Sequence, residues 1–188
     1  MVRGYEMPKT LSNLYAIDQI LQNNHGRGIE DYLGIYLNFN SGFGYDCTPD
    51  DAVVFGHTGM GGDHFAFLTK SDSVSTLEEA PIIFIQPMLF EHQVKLVANN
   101  LCDFLSLFLC FKELYILERF DFYKTKEEFL DDYELNFRNS ILEREDEISL
   151  FSTEMTNRIE LRTIKDAYDY IMDLRYANGN VSSINRFS

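Results

Sequence analysis

The chain has no tryptophan and only three cysteines among its 188 residues, and its bases are few: 16 Lys and Arg against 30 Asp and Glu. The missing tryptophan excludes little. Three thiols are an odd number, and Cys102 and Cys110 fall inside an apolar stretch. They read as small core residues in a reducing compartment, with no disulfide framework. Long hydrophobic runs are also lacking. The most apolar stretch, Leu101 to Phe111, is interrupted by Asp103 and Ser106 and is far shorter than the ~20 residues that span a bilayer. It reads as a buried helix. The opening MVRGYEMPKT has no apolar leader region, so the expectation is a cytoplasmic protein with no membrane partner.

The shortage of bases is uneven. Residues 28–94 hold ten acids and one base, Lys70, whereas residues 1–27 hold two acids and three bases. The net charge of -14 repels nucleic acid and anionic membrane and draws in cationic partners. Ordinary solubility is the competing explanation.

Catalytic signatures are scarce. The segment from His57 to His64, with Asp63, is the most suggestive, because two histidines and a carboxylate around a glycine-rich loop can ligate a metal or exchange a proton. Its spacing matches neither HExxH nor a Cys/His knuckle, and GxxxxGK[ST] is absent. A hairpin connector explains it better: the glycines supply positive φ, and Asp63 bonds local backbone N–H groups. Cys47 lies among Asp46, Asp50 and Asp51, which hold a thiol protonated, so a Cys47/His57 pair lacks the cation it needs. There is no GxSxG elbow. The carboxylate doublets Asp50-Asp51, Glu78-Glu79, Glu127-Glu128 and Asp131-Asp132 diverge on a strand or a helix, unlike a glycosidase pair. The acidic run Glu143, Glu145, Asp146, Glu147 reads as a solvent face or a helix end. No catalytic residue, metal site or cofactor is assigned.

What is present is 45% hydrophobic residues, 16 of them Phe, enough for one domain with a real core. Leu11, Leu14, Ile17, Ile20 and Leu21 have helical spacing and run into Asn23-Asn24-His25-Gly26, a helix stop. Ile29 to Leu33 suits a short helix before Gly34. Ile35, Leu37 and Phe39 alternate with Tyr36 and Asn38, which suits a strand or a continued helix. Ala52 to Phe55, His64 to Thr69 and Ile82 to Ile85 are strand candidates, the last apolar throughout, as in a strand covered on both faces or one at a crowded centre. From Val94 the spacing Val94, Val97, Leu101, Phe104, Leu105, Phe108 predicts a helix. Leu114 to Leu117 fits no single element. Thr125 with Glu128 forms a capping box ahead of Phe129, Tyr133, Phe137 and Ile141. Thr163 caps a last helix bearing Ile164, Ala167, Tyr168, Ile171 and Leu174, which stops near Asn178-Gly179 before a polar tail, 180–188. The expectation is a single α+β domain: a mostly antiparallel sheet packed on helices, with a core of about 10–112 and a helical extension of about 120–178.

Four segments together resemble the SUKH superfamily, which groups yeast cell-wall-synthesis regulators with many bacterial immunity proteins. They are Asn40-Ser-Gly-Phe-Gly44, Thr58-Gly-Met-Gly-Gly-Asp63-His-Phe-Ala-Phe-Leu68, Ala80-Pro-Ile-Ile-Phe-Ile-Gln-Pro87 and Val97-Ala-Asn-Asn-Leu-Cys-Asp-Phe-Leu105. The likeness spans about residues 10–112. It departs from the pattern in lacking the Leu-Pro element after the first helix, in reading Gly-Met-Gly-Gly-Asp-His at the loop, and in the helical region beyond Phe120. The resemblance implies a non-catalytic scaffold that binds and neutralises a toxin domain, often a nuclease. The charge argument points to the same kind of basic partner, met by Asp31, Asp46, Asp50, Asp51, Asp63, Glu78 and Glu79, with Tyr45, Tyr32 and Phe43 as anchors. A regulatory protein of the same fold without a toxin partner, and a metal-dependent hydrolase built on His57, Asp63 and His64, are the alternatives. Oligomeric state has no signature in the sequence.

Overall fold

The computed structural model describes residues 4–39, 44–70 and 73–177. The expected helix stop at Asn178-Gly179, the polar tail and the segment Asn40 to Phe43 lie outside the described residues.

The fold is α+β, built on a five-stranded antiparallel sheet in the order β1-β2-β3-β4-β5: a meander in which each strand pairs with its neighbour in sequence. Helix α1 (Lys9–His25) buries Leu11, Leu14, Ile17 and Leu21 and ends on Gly26, whose φ of 69 only glycine adopts cheaply. Next come α2 (Glu30–Leu33) and β1 (Tyr36–Leu37), only two residues long. Strands β2 (Ala52–His57), β3 (His64–Leu68) and β4 (Ile82–Ile85) lie where β-branched, aromatic and continuously apolar runs predict them. Every residue of β3 and β4 is buried.

Alternation divides the sheet into two faces. Val53, Phe55, Phe65, Phe67, Ile82 and Phe84 face the main core, with α1 and α3 (Leu101–Phe111). Phe65 stacks on Phe84 with ring centroids 4.5 Å apart. The opposite face presents Ala52, Val54, Ala66, Leu68, Ile83 and Ile85 against Leu174 and Tyr170 of α7 (Ala167–Ala177). This second cover explains why β4 is apolar at every position.

Several expectations need correction. Val94 does not open a helix: Val94–Ala98 is strand β5, paired with β4 from Ile85↔Val94 to Ile82↔Ala98. Val94 and Val97 fit a helical stripe, but five residues suit either period, and the unpaired edge of β4 decides for the strand. Helix α3 starts only after Asn100, whose side chain accepts from the Asp103 N–H at 2.9 Å. The ambiguous Leu114 stretch is a 3-10 helix, Leu114–Arg119. Thr125 caps α4 (Lys126–Asn136), accepting from the Glu128 N–H at 3.2 Å, while the Glu128 carboxylate accepts from the Lys124 N–H at 2.6 Å, one residue before the expected partner. The Phe129 stripe does not continue as one helix; it breaks into α4 and α5 (Arg138–Glu143). The acidic run is a helix end, as one of its two readings had it: it opens α6 (Glu145–Arg158), where carboxylates favour the positive N-terminal end. The last helix is capped by Asp166, which accepts from the Asp169 N–H at 3.0 Å, and not by Thr163. Cys110 is exposed and Cys102 half-buried, so neither is a fully buried core residue. Among the described residues no helix is long and apolar enough to cross a membrane.

Candidate functional site

At one end of the sheet three loops meet. The β2–β3 connector, residues 58–63, is the hairpin its glycines predict: Gly59, Gly61 and Gly62 all have positive φ, and the Thr58 N–H donates to the Asp63 carbonyl at 2.9 Å. The β4–β5 connector closes with the Gln86 N–H on the Gln93 carbonyl at 2.8 Å and the Gln93 side chain on the Pro87 carbonyl at 3.0 Å. The two tips touch, since a methyl at Gly61 would lie 3.6 Å from Met88 Cγ. The third loop, 44–48, lays Tyr45 over Gly62 so closely that a Cβ there would stand 2.5 Å from the ring. Between the third loop and the β4–β5 hairpin runs an open cavity of about 670 Å³, lined by Tyr45, Asp46, Cys47, Pro87 and Gln93.

His64 holds this end together. Its Nδ1 lies 2.7 Å from the Gly62 carbonyl, which only accepts, so Nδ1 carries the proton. Nε2 then accepts from the Thr48 hydroxyl at 3.0 Å, whose oxygen in turn accepts from the Tyr45 N–H at 2.8 Å. Burial holds the imidazole below its ordinary pKa and keeps it neutral. His57 pairs across the strands with His64 but stacks on Tyr36 at 5.3 Å. Asp63 does not bond local backbone N–H groups as expected; it accepts from Gln86 Nε2 at 3.0 Å. Asp63 and His64 thus bond different groups, Gln86 for the one and Thr48 with Gly62 for the other. Among the described residues no group of three or more His, Cys, Asp and Glu is arranged to hold a metal. Burial, reinforced by Asp46 and Asp63, pushes the Cys47 thiol up, away from the thiolate a nucleophile requires.

Behind the tips runs a polar chain that sequence reasoning missed. Gln86 Oε1 accepts from Lys95 Nζ at 2.7 Å, and Lys95 pairs with Asp121 at 2.6 Å while its side chain is only 5% exposed. Asp121 also pairs with Arg175 of α7 at 2.6 Å. Beside this chain, burial and then the charge of Asp63 push the Glu118 carboxyl up to about 7, against the opposing influence of Tyr115 and Lys95. The only signal in the sequence was a lysine in an apolar run, Val94-Lys95-Leu96.

The carboxylates expected to form one acidic face are divided. Tyr45, Asp46 and Asp63 belong to the loop end. Asp50, Asp51, Glu78 and Glu79 lie at the opposite end of the sheet, where the Asp51 carbonyl accepts from the Thr69 N–H and Glu78 accepts from the Thr10 hydroxyl at the start of α1. Asp31 sits on α2, whose carbonyl Arg144 binds at 2.7 Å. Tyr32 is no anchor: it is buried and stacks on Phe151 at 6.0 Å. Phe43 lies outside the described residues. What composition did not single out is an exposed apolar group at the loop end: Met60 is 72% exposed, Met88 76% and Phe90 103%, with Leu89 and Tyr45 also open. Compared with protein-family models, curated proteins and solved structures, the chain matches none.

Proposed function

We propose that this protein is a non-catalytic binding module of immunity type, which uses the loop end of its sheet to hold and neutralise a basic protein, a toxin domain of the nuclease kind. The observation that carries the reading is the exposed group Tyr45, Met60, Met88, Leu89 and Phe90, set in a stretch, 44–94, whose one Lys or Arg is Lys70. Large apolar side chains grouped in the open mark an interaction surface. Acids without competing bases select a cationic partner and speed its approach. The SUKH resemblance of the segments on which these loops stand supports the same reading.

The test is capture on the immobilised full chain from its source lysate, at low and then moderate salt, with identification by mass spectrometry. The expected result is one basic domain, held one-to-one and released as salt rises. Asp46→Asn with Glu91→Gln weakens that binding, while Asp50→Asn with Asp51→Asn, at the other end of the sheet, leaves it unchanged. A partner that is neutral, or that follows Asp50 and Asp51, contradicts the proposal.

A further inference from the structure

Phe90 stands at the tip of the β4–β5 hairpin, 103% exposed, so its ring has no intramolecular cover. Its neighbours Met88 and Leu89 are exposed too, and Met60 of the adjoining tip is 72% exposed. A projecting apolar tip of this kind fits a concave surface better than a flat one. Its base is rigid: besides the Gln86 and Gln93 bonds, the Leu89 N–H donates to the Gln86 carbonyl at 3.2 Å. Gln86 is itself fixed on both sides, by Lys95 at 2.7 Å and Asp63 at 3.0 Å. A hairpin held in this way loses little conformational freedom on binding, so most of the gain from burying an aromatic ring is kept. Charge settles the sign of the occupant. Glu91 follows Phe90 directly, and between residues 71 and 94 there is no lysine or arginine.

We infer that the tip Met88-Leu89-Phe90-Glu91 is a plug that enters a cleft of the basic partner, with Phe90 as its apolar anchor and Glu91 as the group that pairs with a cation at the cleft's rim. The inference rests on the binding reading above and specifies which element does the work. The flexible thioethers of Met60 and Met88 then pack around the anchor as a collar.

Phe90→Ala in the full chain is the test. Because the ring touches nothing, the melting temperature stays at the wild-type value, which separates lost binding from lost folding. The probe is the basic domain recovered by the wild-type bait, purified and titrated calorimetrically. The expected loss for Phe90→Ala is about 30-fold or more in Kd, the level of an interface hot spot. Glu91→Gln is expected to flatten the salt dependence. If wild type binds a basic domain and Phe90→Ala stays within about threefold, the plug is overturned and the binding reading stands. If wild type holds no basic protein, both fall. Two further measurements address other occupants. A Phe90-dependent dimer in sedimentation, or Phe90-dependent binding to phosphatidylcholine vesicles, would overturn the plug in favour of a second copy or a lipid surface.

Discussion

Glu118 has a carboxyl pushed up to about 7 from its ordinary 4.5, first by burial and then by Asp63. Between those values the folded chain holds a proton that the unfolded chain has released, so its contribution to stability is greatest below about pH 4.5 and is lost as pH rises through about 7. Glu118→Gln fixes the group in its neutral form. Allowing for solvent screening, the variant is expected to melt about 3 °C above wild type at pH 8 and level with it at pH 5. Thermal melts across that range decide it, and a gain that does not change with pH would refute the assignment. His64 behaves in the opposite sense. Its lowered pKa favours the folded state at neutral pH, and that preference is lost with acidification. The sequence marked His64 as a residue of interest, but its role came from Thr48 and Gly62, whose positions depend on how the 44–48 loop crosses the sheet.

At the level of elements, the boundary between β5 and α3 shows where local pattern gives out. Val94, Val97 and Leu101 satisfy helical spacing, while Val94 and Leu96 also satisfy alternation, and five residues cannot separate the two. The tie is broken by hydrogen bonding to β4 on one side and by Asn100 on the other, which accepts from the Asp103 N–H at 2.9 Å. Asn100→Ala removes that cap and is expected to cost about 1 kcal/mol in denaturant unfolding. Asn100→Asp should retain most of it, and equal losses in the two variants would show that the side-chain acceptor is not what matters. Helix α6 was only partly legible, through its acidic first turn. Its buried residues Ile148, Phe151 and Met155 stand at i, i+3 and i+7, one face of a helix, but only three apolar positions in fourteen residues mark that face. The helix α1, by contrast, carries a dense stripe and a glycine stop, and both were readable.

Across the whole molecule, one hydrophobic cluster joins α1 and the sheet to the helices beyond residue 112. Ile116, Leu117, Phe120, Phe151, Met155 and Ile171, none more than 1% exposed, share it with Leu11, Phe65 and Phe104. A chain ending at Lys112 would leave that surface open, and it is expected to aggregate without a cooperative melt; a soluble, cooperatively folding fragment would show that the later helices are dispensable. By itself the sequence determined the α+β class, the hairpin chemistry of the glycine loop, the strands β2 to β4 and the acidic character of residues 28–94. Each of these follows from local spacing, backbone preference or summed charge. Only the tertiary structure decided that Asp50, Asp51, Glu78 and Glu79 lie away from Tyr45, Asp46 and Asp63, that Lys95 is buried against Asp121, and that Phe90 projects from a braced tip. Those outcomes depend on which strands pair and which loops meet, and neighbours in space that are distant along the chain leave no local pattern to read.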